Sequence, residues 1–192
     1  MMNFLKTNDK EFIIFDTEFT SWEGSMERGW SNPGEYKELV EIGAIKVSAE
    51  NLSEVAEFSV LVKPIKNPIL SEYFVNLTGI TNERLDREGA SLPEAIKKFS
   101  EFVGKLPAYS FGGDQTVIEK NCDLLGIQFL MSDTGFFDVI EVFESKGIAA
   151  QKFTSGTILR AFGKDPLRKV HTGTEDSRSI LDGLRELKSK LT

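Results

Sequence analysis

Along this chain the spacing of apolar residues changes, and that spacing separates strands from helices. FIIF at 12–15 is a continuous apolar run inside a segment, 11–18, short enough to be one strand. LVEIGAIKVS at 39–48 and VAEFSVLVK at 55–63 are rich in branched residues, and AENLSE between them predicts a hairpin. The pattern then shifts. Pro64 and Pro68 predict turns and short helices through PIKNPILSEYFVNLTGITNERLD. Ser91, Pro93 and Glu94 form a capping signal ahead of a helix from 92 to about 103, where Ile96, Phe99 and Val103 recur at helical spacing. AYSFGG at 108–113 predicts a strand arriving at a loop, and Asp114 opens the next helix. Helices are predicted again over 137–146 and 154–162, and a last one over about 173–189 turns Ile180, Leu184 and Leu187 inward. Three strands, a helix, a strand and more helices predict a mixed α/β sheet covered by helices.

Composition narrows the class. The length of 192 residues fits one domain, 1–192, and 40% hydrophobic residues with 15 phenylalanines supply a large core. No run approaches the apolar length of a membrane span, so no membrane partner is expected. MMNFLKTNDKEF lacks the apolar core and small-residue cleavage site of a secretory leader. Cys122 is the sole cysteine, which excludes an intrachain disulfide framework and fits a reducing, cytoplasmic setting. Its helical spacing from Ile118 predicts a buried structural thiol. A single histidine, about fifty residues beyond that cysteine, cannot build a structural zinc site. The net charge of −7 opposes broad capture of duplex DNA. Bound cations, however, can turn an acidic cluster into a local phosphate site.

Three acidic stretches carry the candidate chemistry. In FDTEFT, Asp16 and Glu18 project from the same face at the end of a strand. Paired carboxylates repel unless a cation lies between them, and magnesium favours such hard oxygen ligands. The plainer alternative is two solvated acids at a strand edge. Asp114 follows YSFGG, whose glycines allow close backbone approach, and shares a helical face with Ile118 and Leu125. It points toward the protein body, or else serves only as a helix cap. In VHTGTEDSRSILDGL, Thr172 and Glu175 have capping-box spacing, which starts the helix between His171 and Asp176. Asp176 precedes Ile180 by four and Leu184 by eight, so it joins the inner stripe. His171 stays on the loop, where Gly173 would let it swing. A lone histidine is more often structural, but one five residues before an inward acid is a catalytic candidate.

Together these residues resemble the DEDD superfamily of 3′–5′ exonucleases, in its histidine-containing branch. FDTEF resembles the first motif, SFGGDQ the second and HTGTED the third, with His171 and Asp176 at the family spacing. LVEIGAIKV is similar to the usual second strand, and LTGIT at 77–81 to the turn before the first long helix. FTSGTILRAFG at 153–163 resembles the helix before the third motif in histone-messenger and small-RNA exonucleases, and sporulation-associated bacterial relatives look similar. The resemblance implies a ribonuclease H-like fold: a mixed five-stranded sheet flanked by helices. It further implies two Mg²⁺ or Mn²⁺ ions, one on Asp16, Glu18 and Asp176 and the other on Asp16 with Asp114. Two ions about 4 Å apart can clamp the attacking and leaving oxygens. His171 would take the proton of the attacking water as a neutral imidazole, releasing nucleoside 5′-monophosphates from a 3′ end. One departure is visible: Phe111, Gly112 and Gly113 stand where many relatives carry a tryptophan, which predicts local remodelling without loss of activity.

For substrate, Trp22 and Trp30 lie in a polar, glycine-bearing loop from which they can stack on bases or fold back on the core. The resemblance places Phe19 and Thr20 at the terminal nucleotide. Lys164, Arg168 and Lys169 form a basic cluster suited to phosphate contacts, or else a solvated surface. Phe74, Leu77 and Ile80 are expected to pack, although the resemblance often brings this region near substrate. The expected partner is single-stranded nucleic acid, RNA before DNA, as the resemblance implies. A non-catalytic nucleic-acid-binding protein on the same fold is the main alternative. A metal-dependent phosphatase of the haloacid type fits less well, since it needs a second aspartate where Glu18 stands and gives His171 and Asp176 no role.

Overall fold

Phe12, Ile13, Ile14 and Phe15 have no exposed surface. Because alternate residues of a strand face opposite ways, such burial requires packed layers on both sides. The computed structural model describes residues 5, 9–129, 135–168 and 171–191 and supplies those layers. The central strand is β1, Glu11–Phe19. It pairs antiparallel with β2, Leu39–Ser48, which pairs antiparallel with β3, Glu54–Leu61. On its other edge β1 runs parallel to β4, Ala108–Ser110, and β4 runs parallel to β5, Phe136–Asp138. The sheet is mixed and five-stranded, in the order β3-β2-β1-β4-β5.

Two short helices, α1 (Glu72–Thr78) and α2 (Asn82–Glu88), pack through Phe74, Ile80 and Leu85 against Val40 and Leu61. One face of the sheet is covered by α3, Leu92–Val103, and α4, Asp114–Asp123. Ile13 and Phe15 meet Ile96, Phe99 and Ile118 there. The opposite face is covered by α5 (Val139–Glu144), a 3₁₀ segment (Ser155–Phe162) and α6 (Gly173–Leu191). On that side Phe12 and Ile14 meet Phe143, Ile158, Ile180 and Leu184. Each such side chain contributes about 1.5–3 kcal/mol by leaving water. The phenylalanines also contact ring to ring, as where Phe15 meets Phe99 at 5.3 Å and Phe136 at 5.5 Å.

Several expectations need correction. Where a helix was expected from 137, Phe136 and Phe137 alternate between the two cores, which is strand geometry, and they form β5. Asp138 then caps α5 by accepting the Ile140 N–H at 2.8 Å. The segment after Thr154 is 3₁₀ rather than α-helical. Leu125 lies beyond the end of α4 and is exposed, so the inner face of that helix is Val117, Ile118, Asn121 and Cys122. Cys122 is buried, and burial pushes its thiol up to about 11. No helix among the described residues is long and apolar enough to cross a membrane.

Candidate active site

The strand parity of β1 divides the site between two layers. Asp16 and Glu18 share the face of Phe12 and Ile14, toward α6, whereas Thr17 faces α4. In the β1–β2 register, Asp16 stands opposite Gly43 and Glu18 opposite Glu41. Gly43 is where α6 begins: a Cβ there would overlap the carbonyl carbon of Gly173 and the nitrogen of Thr174. A Cβ on Gly173 would in turn lie 2.6 Å from the Gly43 nitrogen and 2.9 Å from the Asp16 carbonyl oxygen. Gly173 is therefore a fixed contact and not a swivel for His171. This backbone contact lowers Asp176, in the first turn of α6, onto the acid pair. Ligand atoms of Asp16, Glu18 and Asp176 lie within 4.8 Å of one another, all on buried residues or on the half-buried rim of the same cluster.

Glu41 was not singled out from the sequence. Its buried carboxylate accepts the Gly173 N–H at 3.0 Å and the Ser59 hydroxyl at 2.8 Å, tying the start of α6 to β2 and β3. The available signal was an acid inside the apolar run LVEIGAIKV, on the face of Gly43.

Asp114 approaches from the other layer. Its Oδ1 accepts both the Thr17 N–H (3.1 Å) and the Thr17 hydroxyl (2.6 Å). The N-cap position belongs to Gly113, so Asp114 is not the cap. His171 has a left-handed backbone, with φ of 72°, and its N–H donates to Asp176 Oδ2 at 2.9 Å. Half of the expected capping box is present, with Thr172 Oγ1 accepting the Glu175 N–H at 3.4 Å. The second carboxylate oxygen of Asp176, Oδ1, is buried without a hydrogen-bond partner among the described residues.

The electrostatics follow from that crowding. Burial holds the Asp16 carboxyl well above the usual carboxylate range, and the charges of Asp114, Asp176 and Glu18 raise it further, while the Ser155 hydroxyl opposes them. Glu18 is likewise raised, first by burial, then by Asp176, Glu41 and Asp114. Burial pushes Asp114 up to about 6 against the two hydrogen bonds from Thr17 and the charge of Lys37. Asp176 is also pushed up to about 6 by burial, with the His171 N–H pulling the other way. Burial lowers the His171 imidazole from its ordinary value.

These groups open onto a cleft of about 610 Å³, a size suited to a nucleotide. Phe19, Trp30, Tyr73, Leu77, Phe111 and Phe153 give it apolar walls. Thr20 does not line it: the residue is buried, donating its hydroxyl to the Tyr36 carbonyl and accepting the Glu38 N–H. Trp22 is half-buried outside the lining, whereas Trp30 lies on the wall, its indole N–H held by the Thr20 carbonyl at 2.8 Å. Lys164 pairs with Glu186 at 2.7 Å, and Arg168 pairs with Asp182 at 3.0 Å and Glu175 at 3.5 Å. Both are thus engaged by carboxylates of α6 and neither lines the cleft. Lys169 lies outside the described residues.

Residues 13–182 match the RNase_T family, described as "Exonuclease". The 3′-5′ exoribonuclease 1 of Rattus norvegicus is 26% identical over 179 residues, covering 87% of this chain and 50% of the relative. Its Homo sapiens counterpart is 25% identical over 190 residues, covering 93% and 52%. The chain thus spans about half the length of these curated relatives. Among solved structures, the nuclease domain of 3′hExo, a DEDDh family member bound to rAMP, superposes with a TM-score of 0.80 at 23% identity, covering 96% of this chain and 95% of that one. At this identity the superposition establishes the shared fold.

Proposed function

The chain belongs to this exonuclease family, and from that premise we propose that it is a metal-dependent 3′–5′ exonuclease of single-stranded nucleic acid. It releases nucleoside 5′-monophosphates and prefers RNA to DNA, with residues 1–192 forming one exonuclease domain. The observation that carries this reading is the convergence of Asp16, Glu18, Asp114, Asp176 and His171 on one cleft. The relatives' designation as 3′-5′ exoribonucleases supports the direction and the preference for RNA.

The residues fit a hard divalent cation. Asp176 and Glu18 raise the proton affinity of Asp16, Asp176 raises that of Glu18, and a buried oxygen of Asp176 has no hydrogen-bond partner among the described residues. Asp16, Glu18 and Asp176 would hold one Mg²⁺ or Mn²⁺, and Asp16 with Asp114 a second. Such ions supply Lewis-acid polarisation of the phosphate and stabilise charge on the departing oxygen.

The chain's own groups do the rest. His171, kept neutral at neutral pH by its lowered pKa, accepts the proton of the attacking water. Its loop is tied by its own N–H to Asp176, so the base and the acidic cluster share one anchor. Phe19, Leu77 and Phe111 offer apolar surface to a base at the end of a strand. With Lys164 and Arg168 held by α6 carboxylates, the cleft wall takes precedence over that segment in holding substrate.

Digestion of 5′-labelled RNA and DNA, single- and double-stranded, tests the reading. Mg²⁺-dependent ladders that shorten from the 3′ end, fastest on single-stranded RNA, are expected. Cutting of circular substrates, or full turnover after chelation of divalent ions, would overturn it.

A further inference from the structure

Lys37 is the only lysine or arginine lining the cleft among the described residues. Its ammonium lies 4.0 Å from the centre of the Phe19 ring and 4.7 Å from that of Trp30. Those rings meet edge to face at 5.5 Å, and the indole is pinned by the Thr20 carbonyl. The backbone beneath is equally fixed. The Lys37 carbonyl accepts from the Asn121 side chain at 3.1 Å, and the Glu38 carboxylate accepts the N–H groups of Ile65, Lys66 and Asn67.

The chemistry of this perch differs from that of the neighbouring cations. Lys164, Arg168 and Arg178 are each neutralised by carboxylates. Ring faces attract an ammonium through their quadrupoles but carry no countercharge, so the rings hold Lys37 without neutralising it, while burial lowers its pKa from the ordinary lysine value. Of the four acids that line the cleft, Asp114 is the one whose carboxyl the charge of Lys37 pulls down.

We propose that Lys37 is a phosphate-binding residue that takes the nucleic-acid phosphate next to the scissile one, on its 5′ side. This rests on the exonuclease reading above. A polyanion entering a cleft lined by four carboxylates needs a cation beyond the reaction centre, and Lys37 is the group placed to supply it. The aromatic perch holds the long side chain in position before substrate arrives.

The test uses a short fluorescein-labelled single-stranded RNA bound to the chain in a His171→Ala background, which keeps the RNA intact. Lys37→Met, which retains the stem over the rings, should weaken binding about tenfold, and Lys37→Arg should restore most of it. The slope of log affinity against log salt should fall by about 0.7, the value for one phosphate of a single strand. In the turnover enzyme Lys37→Met should raise KM by a similar factor, with kcat within about twofold. A neutral methylphosphonate at the linkage 5′ to the scissile one should weaken the parent and add no further loss to Lys37→Met. Unchanged affinity and slope in Lys37→Met and Lys37→Gln alike, or losses that add with the methylphosphonate, would overturn the assignment while hydrolysis by the parent leaves the exonuclease reading standing. Binding without hydrolysis by the parent would overturn the exonuclease reading. In that case the Lys37 contact, as a residue placed beside a scissile phosphate, falls with it.

Discussion

Asp176 uses its two oxygens differently. Oδ2 accepts the His171 N–H, and Oδ1 is buried without a partner, on a residue that borders Asp16 and Glu18. The side chain that ties down the proposed base thus also faces the proposed cation site. Asp16→Asn should abolish metal-dependent turnover and divalent-ion binding, both readable by calorimetric Mn²⁺ titration beside a hydrolysis assay. His171→Ala should bind Mn²⁺ as the parent does but lose about 10²–10⁴ in kcat, the usual worth of a general base. A His171 variant with parental kcat would remove the proton-transfer role. Much of this was legible in the sequence, because the relevant geometry is local. Two residues apart on a strand means one face, and a capping signal between His171 and Asp176 means one leaves the helix as the other enters it.

Between elements, the decisive contact is made without side chains. Gly43 of β2 and Gly173 of α6 touch backbone to backbone, and the Glu41 carboxylate accepts the N–H that this approach brings down. A methyl group at Gly43 has nowhere to go, because its neighbours are backbone atoms. Gly43→Ala should cost about 1–3 kcal/mol, the usual range for overpacking, and should lower activity further by lifting Asp176 from Asp16. Thermal melts and kcat of the same preparation would show this, and a variant with parental melting temperature would contradict it. Glu41→Ala should cost about 1–3 kcal/mol in urea unfolding by leaving the Gly173 N–H unsatisfied. Glu41→Gln, which can still accept from Gly173 and meet Ser59, should recover most of that stability. A glycine inside a strand signals close backbone approach, yet it does not say which distant segment arrives.

Across the whole molecule, the crowded carboxylates oppose folding, and a cation bound among them would relieve that cost. Asp114 and Asp176 are each pushed up to about 6 from the ordinary 3.8, so between those values the folded metal-free chain binds more protons than the unfolded one. Stability from these groups is complete below the lower value and is lost as pH rises through the higher. The melting temperature in EDTA should therefore drop relative to that in Mg²⁺ as pH is raised from about 5 to about 7, widening the gap between the two. A gap that stays constant over that range would count against cation binding by these acids. The sequence by itself determined the strand that ends in Asp16 and Glu18, the helix that carries Asp176 in its first turn and the candidacy of His171. Those follow from backbone periodicity within one segment. Only the tertiary structure decided that FFD at 136–138 is a fifth strand, that Lys164 and Arg168 turn to α6, and that Lys37 rests on Phe19 and Trp30. Local geometry sets which way a side chain leaves its element, but the carboxylate or ring it meets is delivered by packing between segments far apart in the chain.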